Sequence, residues 1–288
     1  MLGPYLGRRQ NNLAEMAAKT CLFALAAVAL WAAPAAASEQ PVDVPAGKTK
    51  LHAALYRPDG TGPFPAVIAL HGCGGLTRDG ASDAEPYDQW AKLLVSDRFV
   101  VLFPDSFGSR GIGPQCATRK GTVRASHERV ADANAARHFL LSQPYVRADR
   151  ISLLGWSSGA IAALWTVRPN AAPRDGSADF RSAVALYPGC RRLRQTAWST
   201  RIPTLILTGS ADDSGATCQQ MVAGARGRSA RAEIIVYPAA RGLDRTNPPI
   251  LLDTGRARSA DSSGKPRRSL NPTARLDALK RVRKWLAR

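Results

Sequence analysis

The stretch RISLLGWSSGAIAALWTV, Arg150–Val167, decides the fold. Its first part, Ile151–Leu154, is a short apolar run closed by Gly155, which reads as a buried strand. Its last part is rich in alanine and reads as a helix. Between them stands Gly155-Trp156-Ser157-Ser158-Gly159, a G-x-S-x-G pattern in the setting its geometry demands: strand, tight turn, helix. Small residues on each side of such a turn let the strand and helix approach while the serine projects outward. Ser157 is therefore a candidate nucleophile, and the backbone N–H of Ser158, at the helix N-terminus, a candidate donor to a developing oxyanion. The pattern alone is a weak signal, and the competing reading is an ordinary strand-to-helix turn. The strand before and the helix after give it weight.

Working outward, the chain alternates apolar runs with helical patterns. Strands are expected at Lys50–Tyr56, Ala66–Gly72, Arg98–Asp105, Arg150–Trp156, Ser182–Gly189, Pro203–Gly209 and Ala232–Pro238. Helices are expected over EPYDQWAKLLVSD, HERVADANAARHFLLSQ, SSGAIAALWTV, GATCQQMVAGAR and NPTARLDALKRVRKWLA, the last with Asn271 as N-cap and Pro272 at N1. Apolar strands buried on both faces, joined by crossover helices, predict an α/β fold: a doubly wound, mostly parallel sheet flanked by helices. In such sheets ligands bind beyond the carboxyl ends of the strands.

Two further strand ends carry candidate chemistry. After AVIAL comes His71-Gly72-Cys73-Gly74-Gly75, a glycine-rich loop where the backbone N–H of Cys73 is the candidate second oxyanion donor. His71 reads chiefly as a structural histidine holding that loop, with a role as base the alternative. After PTLILTG comes Ser210-Ala211-Asp212-Asp213. An acid here orients a catalytic histidine in the chain order Ser, Asp, His, and Asp212 is preferred to Asp213. The competing reading is a turn aspartate capping the next helix.

The N-terminus has another character. Met16–Lys19 is a short basic segment, Cys21–Trp31 is apolar, and Ala35-Ala36-Ala37 precedes Ser38 as a small-residue cleavage site. This is the pattern of a signal peptide. Residues 1–37 are read as an upstream extension plus that peptide, with translation starting at Met16, and residues 38–288 as a single domain, exported to the periplasm or secreted. No membrane association is expected after cleavage. Export makes cysteine usage informative: Cys73, Cys116, Cys190 and Cys218 remain, an even number suited to two disulfides with three connectivities. Four buried thiols is the competing reading.

Residues 1–37 carry Arg8, Arg9, Lys19 and Glu15, so without them the formal charge falls from +18 to +16. The basic residues, 32 Arg against 8 Lys, are dispersed rather than gathered on a recognition motif, so no specific nucleic-acid partner is expected.

Taken together and in order, HGCGG, FPDSFGSRG, LLGWSSG, ALYPGC, TGSADDSGATC and the YP before the last loop resemble the dienelactone hydrolase family of α/β-hydrolases, most of all its exported bacterial branch. The resemblance runs from about Lys50 to the C-terminal helix. It implies an α/β-hydrolase fold and a Ser or Cys nucleophile with an Asp and a His. It also implies action on small-molecule esters or lactones, with no cofactor and no metal. Ser157 and Asp212 match the first two members. The resemblance places Arg110 in a loop beside the site, either fixing that loop or meeting a substrate carboxylate through its planar fork. Trp156 would line the pocket. Cys190 and Cys218 follow neighbouring strands and are expected to pair, as are Cys73 and Cys116 in strand-end loops.

One member is missing. Where the family runs YPGAxHGFD, this chain has Tyr237-Pro-Ala-Ala-Arg-Gly-Leu-Asp244, one residue shorter, with Arg241 at the histidine's position. Arginine stays protonated and cannot act as a base. The histidines beyond the signal segment are His52, His71, His127 and His138, all preceding Ser157. His71 and His127 are the candidate substitute bases, from the right end of the sheet. The expectation is a hydrolase scaffold with weak or absent turnover, or else a non-catalytic periplasmic binding protein.

Overall fold

In a computed structural model of the chain, the structure describes residues 38–76, 85–118, 121–212, 214–239, 242–244 and 271–288. The expected extension and signal peptide, residues 1–37, lie outside the described residues, as do Asp213 and Arg241. Ala37–Arg288 forms one compact unit. No described helix is long and apolar enough to cross a membrane.

Among the described residues eight strands form one sheet: β1 Glu39–Ala46, β2 Thr49–Tyr56, β3 Phe64–Leu70, β4 Val100–Pro104, β5 Val146–Trp156, β6 Ala183–Leu186, β7 Thr204–Gly209 and β8 Ala232–Tyr237. Among the described residues six α-helices accompany them: α1 Glu85–Ser96, α2 Glu128–Leu141, α3 Ser158–Thr166, α4 Arg191–Gln195, α5 Gly215–Gly224 and α6 Pro272–Leu286. The strand order is β1-β2-β4-β3-β5-β6-β7-β8. β2 runs antiparallel to both neighbours, and β4 through β8 pair in parallel. The sheet is the doubly wound one the sequence predicts.

β1 lies outside the strands expected from sequence and pairs with β2 along its whole length at the sheet edge. Pro41 and Pro45 hide it, because proline cannot donate to a ladder and is tolerated only on edge strands. The central strands explain themselves. Every residue of β4, β6 and β7 is buried, as expected of parallel strands covered on both faces. Side chains alternate between two cores. Ala66, Ile68 and Leu70 join one with Leu140 of α2, Leu164 of α3, Trp198 beyond α4 and Met221 of α5. Val67 and Ala69 join the other with Trp90, Leu94, Val282 and Trp285, from α1 and α6. α6 starts where expected, with the Asn271 side chain accepting the Ala274 N–H at 3.0 Å.

This order has a consequence for function. From β3 the chain steps outward to β4, then returns across β3 to β5. The crevice between the ends of β3 and β5 is thus a topological switch point, where open α/β sheets bind ligands. The His71 loop leaves β3 there, and Ser157 leaves β5 there.

Candidate active site

Ser157 sits between β5 and α3 with φ 52° and ψ −111°, a conformation that a residue with a Cβ adopts only under constraint. The constraints are visible. Its N–H donates to the Leu186 carbonyl of β6 at 3.0 Å, and its carbonyl accepts the Ile161 N–H of α3 at 3.0 Å. The flanking glycines are steric necessities. A Cβ on Gly155 would lie 2.5 Å from the Gly159 carbonyl oxygen, and one on Gly159 would lie 1.9 Å from the Leu70 oxygen and 2.5 Å from that of His71. The register Leu70↔Gly155 sets β3 beside β5, and α3 leaves the turn directly against the end of β3. Ser158 opens α3, so its N–H has no acceptor within the helix.

The glycine-rich loop faces this turn: a Cβ on Gly72 would lie 3.8 Å from the Ser157 Cβ. The loop is tied on several sides. Gly72 N–H donates to the Tyr87 hydroxyl at 2.7 Å, and the Cys73 carbonyl accepts the Gln115 N–H at 2.7 Å. Cys73 is bridged to Cys116, and Cys190 to Cys218, as expected from their strand-end positions. The structure thus brings Ser157, Ser158 and Cys73 together at one strand-end crevice.

His71 is a structural histidine and not a substitute base. It is fully buried, its Nδ1–H donates to the Gly72 carbonyl at 2.7 Å, and its Nε2 accepts the Ser106 N–H at 3.1 Å. Those partners fix the neutral tautomer and leave no lone pair for Ser157. Burial first, and the nearby Arg129 charge second, hold its pKa well below the ordinary value. His127 is exposed, precedes α2, and shares a hydrogen bond with Ser126 Oγ at 2.9 Å.

Arg110 takes the loop-fixing role. Its guanidinium grips Asp132 in bidentate fashion, at 3.0 and 2.6 Å, and donates to the Ser106 carbonyl at 2.7 Å. Its fork is occupied by the protein itself, not held open for a substrate carboxylate. Trp156 also departs from expectation. It shares the face of Leu154, two residues back, and is packed in the second core rather than lining an open pocket.

Asp212 lies in the turn after β7, on the same strand-end edge as Ser157 and two strands away. It is buried, and its Oδ1 accepts the Ser214 N–H at 3.0 Å, as a turn aspartate does. This turn is laced to the last loop: Ser210 N–H donates to the Tyr237 carbonyl at 2.7 Å and Ala211 N–H to that of Ala239 at 3.2 Å. Arg241 follows two residues later.

Two buried charges at the site belong to no motif in the sequence. Asp244 is buried a few residues beyond β8, and its Oδ2 accepts the indole N–H of Trp90 and of Trp156, each at 2.8 Å. Arg129, in the first turn of α2, reaches Ser158 and His71. A signal for Arg129 was present: it falls in helical register with Ala133, Ala136 and Leu140, a charge on an apolar face.

Comparison with known proteins accords with this geometry. The family model described as the dienelactone hydrolase family matches residues 51–288. A dienelactone hydrolase from Anabaena variabilis superposes with TM-score 0.58 at 16% identity, covering 88% of this chain and 98% of that one. A dienelactone hydrolase-like promiscuous phosphotriesterase from metagenomic libraries gives 0.62 at 16% identity, over 88% and 98%. An esterase of Pyrococcus furiosus gives 0.53 at 16% identity, over 72% and 85%. At these identities the structural likeness is one of fold. The search of curated proteins found no match.

Proposed function

We propose, from the premise that the chain belongs to the dienelactone hydrolase family, that it is an exported serine hydrolase of carboxylic esters or lactones whose turnover is weak for want of a base. The observation that carries this reading is the constrained Ser157 turn, φ 52° and ψ −111°, facing a glycine-rich loop across the switch point. A strained non-glycine residue costs about 1–3 kcal/mol and persists only where its surroundings enforce it. Ser157 Oγ would attack the acyl carbon while the Cys73 and Ser158 amides hold the developing oxyanion. The ester C–O bond breaks, the alcohol leaves with the serine proton, and water then releases the acid and restores Ser157.

The weak step is deprotonation of Ser157. Asp212 is the counterpart of the acid that orients a histidine. The chain has no histidine after Ser157, and Arg241 stands where the family places one. His71, committed at both ring nitrogens, does not fill the gap. Loss of a triad histidine costs on the order of a millionfold in kcat, while the oxyanion site and binding still leave roughly 10³-fold over water.

The same vacancy favours a second reading, a periplasmic binding protein on a hydrolase scaffold. A fluorophosphonate separates the two. The first reading expects slow labelling of the peptide carrying Ser157, lost in Ser157→Ala. Equal labelling of both proteins, or none in either, would favour the binding protein.

A further inference from the structure

Arg129 is a deeply buried charge that the scheme above does not use. Its side chain is 1% exposed. Nη1 donates to Ser158 Oγ at 3.1 Å, and Nη2 donates to the His71 carbonyl oxygen at 2.7 Å. Ser158 is the residue after the nucleophile. The His71 carbonyl lies two residues before Cys73. One planar group therefore touches both backbone segments that carry the oxyanion donors.

No direct ion pair among the described residues accounts for a charge at this position, although Asp132 and Asp105 are near enough to favour it. The nearby Asp132 is gripped by Arg110, and Asp105 accepts the backbone N–H groups of Phe107 and Gly108. Among the described residues Arg129 forms no carboxylate ion pair, and its Nε lacks a hydrogen-bond partner. Phe107 covers its guanidinium at 5.3 Å. A buried guanidinium in such surroundings is costly. Burial lowers its pKa to about 10, which leaves it charged at neutral pH. The seam it bridges is also the tightest in the site, where only glycine fits at 159 against the His71 carbonyl.

We propose that Arg129 is a positioning residue of the oxyanion site: by clamping Ser158 to the His71 carbonyl it sets the separation of the Ser158 and Cys73 amides. The inference rests on the reading of Ser157 as nucleophile. A guanidinium suits the task because its donors lie in one fixed plane, whereas a lysine ammonium is a single point on a flexible stem.

The test compares the mature, disulfide-bonded protein with Arg129→Met and Arg129→Lys. One arm follows fluorophosphonate capture of Ser157, separating the capture rate constant from the reagent's dissociation constant. Loss of a single oxyanion donor costs on the order of 10²–10³-fold, so displaced donors in Arg129→Met should slow capture by roughly 10–100-fold. The dissociation constant should stay within about twofold, since only the transition state uses the donors. Arg129→Lys should fall between, and it decides the matter where the methionine variant does not fold. The other arm follows amide hydrogen exchange in residues 71–76 and 157–161, which should quicken together in Arg129→Met. A folded variant with unchanged capture and unchanged exchange overturns the inference. If the unmodified protein is never captured, the Ser157 reading has failed and exchange alone decides: both segments quickened supports the clamp, and unchanged exchange overturns it.

Discussion

Replacing Asp244 by alanine should loosen the last loop from the rest of the site. The carboxylate is 2% exposed, and its Oδ2 accepts the indole N–H groups of Trp90 in α1 and Trp156 at the end of β5. Its backbone oxygen accepts Arg275 Nε of α6 at 3.1 Å, so one residue joins four parts of the fold. Truncation strands two buried indole donors, each bonded to a charged group and worth about 1.5–3 kcal/mol. Against this, removing a buried carboxylate relieves a desolvation penalty of a few kcal/mol. The net loss should be about 2–4 kcal/mol, or a Tm lower by roughly 5–15 °C for a domain of this size. Asparagine keeps an oxygen acceptor, but its amide N–H groups fall where Oδ1 has no partner among the described residues. Asp244→Asn should therefore lose roughly half as much as alanine. Urea unfolding followed by tryptophan fluorescence measures both, with the midpoint shifting and the slope unchanged. An alanine variant within about 0.5 kcal/mol of the unmodified protein, or an asparagine variant as damaged as alanine, would refute the reasoning.

Four other outcomes are expected. Gly159→Ala should cost at least about 3 kcal/mol in the same unfolding assay, because its Cβ would lie 1.9 Å from backbone rather than from a movable side chain. Mild reductant followed by alkylation and mass spectrometry should open Cys73–Cys116 before Cys190–Cys218, since Cys116 is exposed whereas Cys190 and Cys218 are both fully buried. Removing the second bridge, which spans 28 residues, should cost about 3.5 kcal/mol by chain entropy. Glu128, hydrogen-bonded to Arg124, has its pKa lowered to about 2 from 4.5. Its contribution is therefore present above pH 4.5 and is lost as pH falls toward 2. Arg124 is exposed and the pair is screened by solvent, so Arg124→Ala should lower stability only slightly, and only above that window, as read from stability titrated between pH 2 and 6.

How much of this was legible in the sequence follows from distance along the chain. The Ser157 turn was legible because strand, glycines, serine and helix are consecutive, and its constraint is local. The central strands were legible because burial on both faces leaves unbroken apolar runs. β1 was not, since its prolines resemble a loop and only pairing with β2 makes it a strand. α4, five residues long, carries too little periodicity to detect. The disulfide pairs were legible through strand order, which places their loops side by side. Asp244 and Arg129 were not, because what defines them lies far away: Trp90 is 154 positions from Asp244, and His71 is 58 from Arg129. Trp156 misled by its place beside Ser157, although period-two alternation already sets it with Leu154 in the core. The function of Arg110 turned on Asp132, a partner one helix away that no motif names.

The most direct test of the account is hydrolysis of a short p-nitrophenyl ester by the mature protein, beside Ser157→Ala and Arg241→His. The account predicts slow hydrolysis by the unmodified protein, loss of even that in Ser157→Ala, and a clear gain in Arg241→His, as expected of an intact nucleophile and oxyanion site short of a base. Equal rates in all three proteins would contradict it and leave the fold as a binding scaffold.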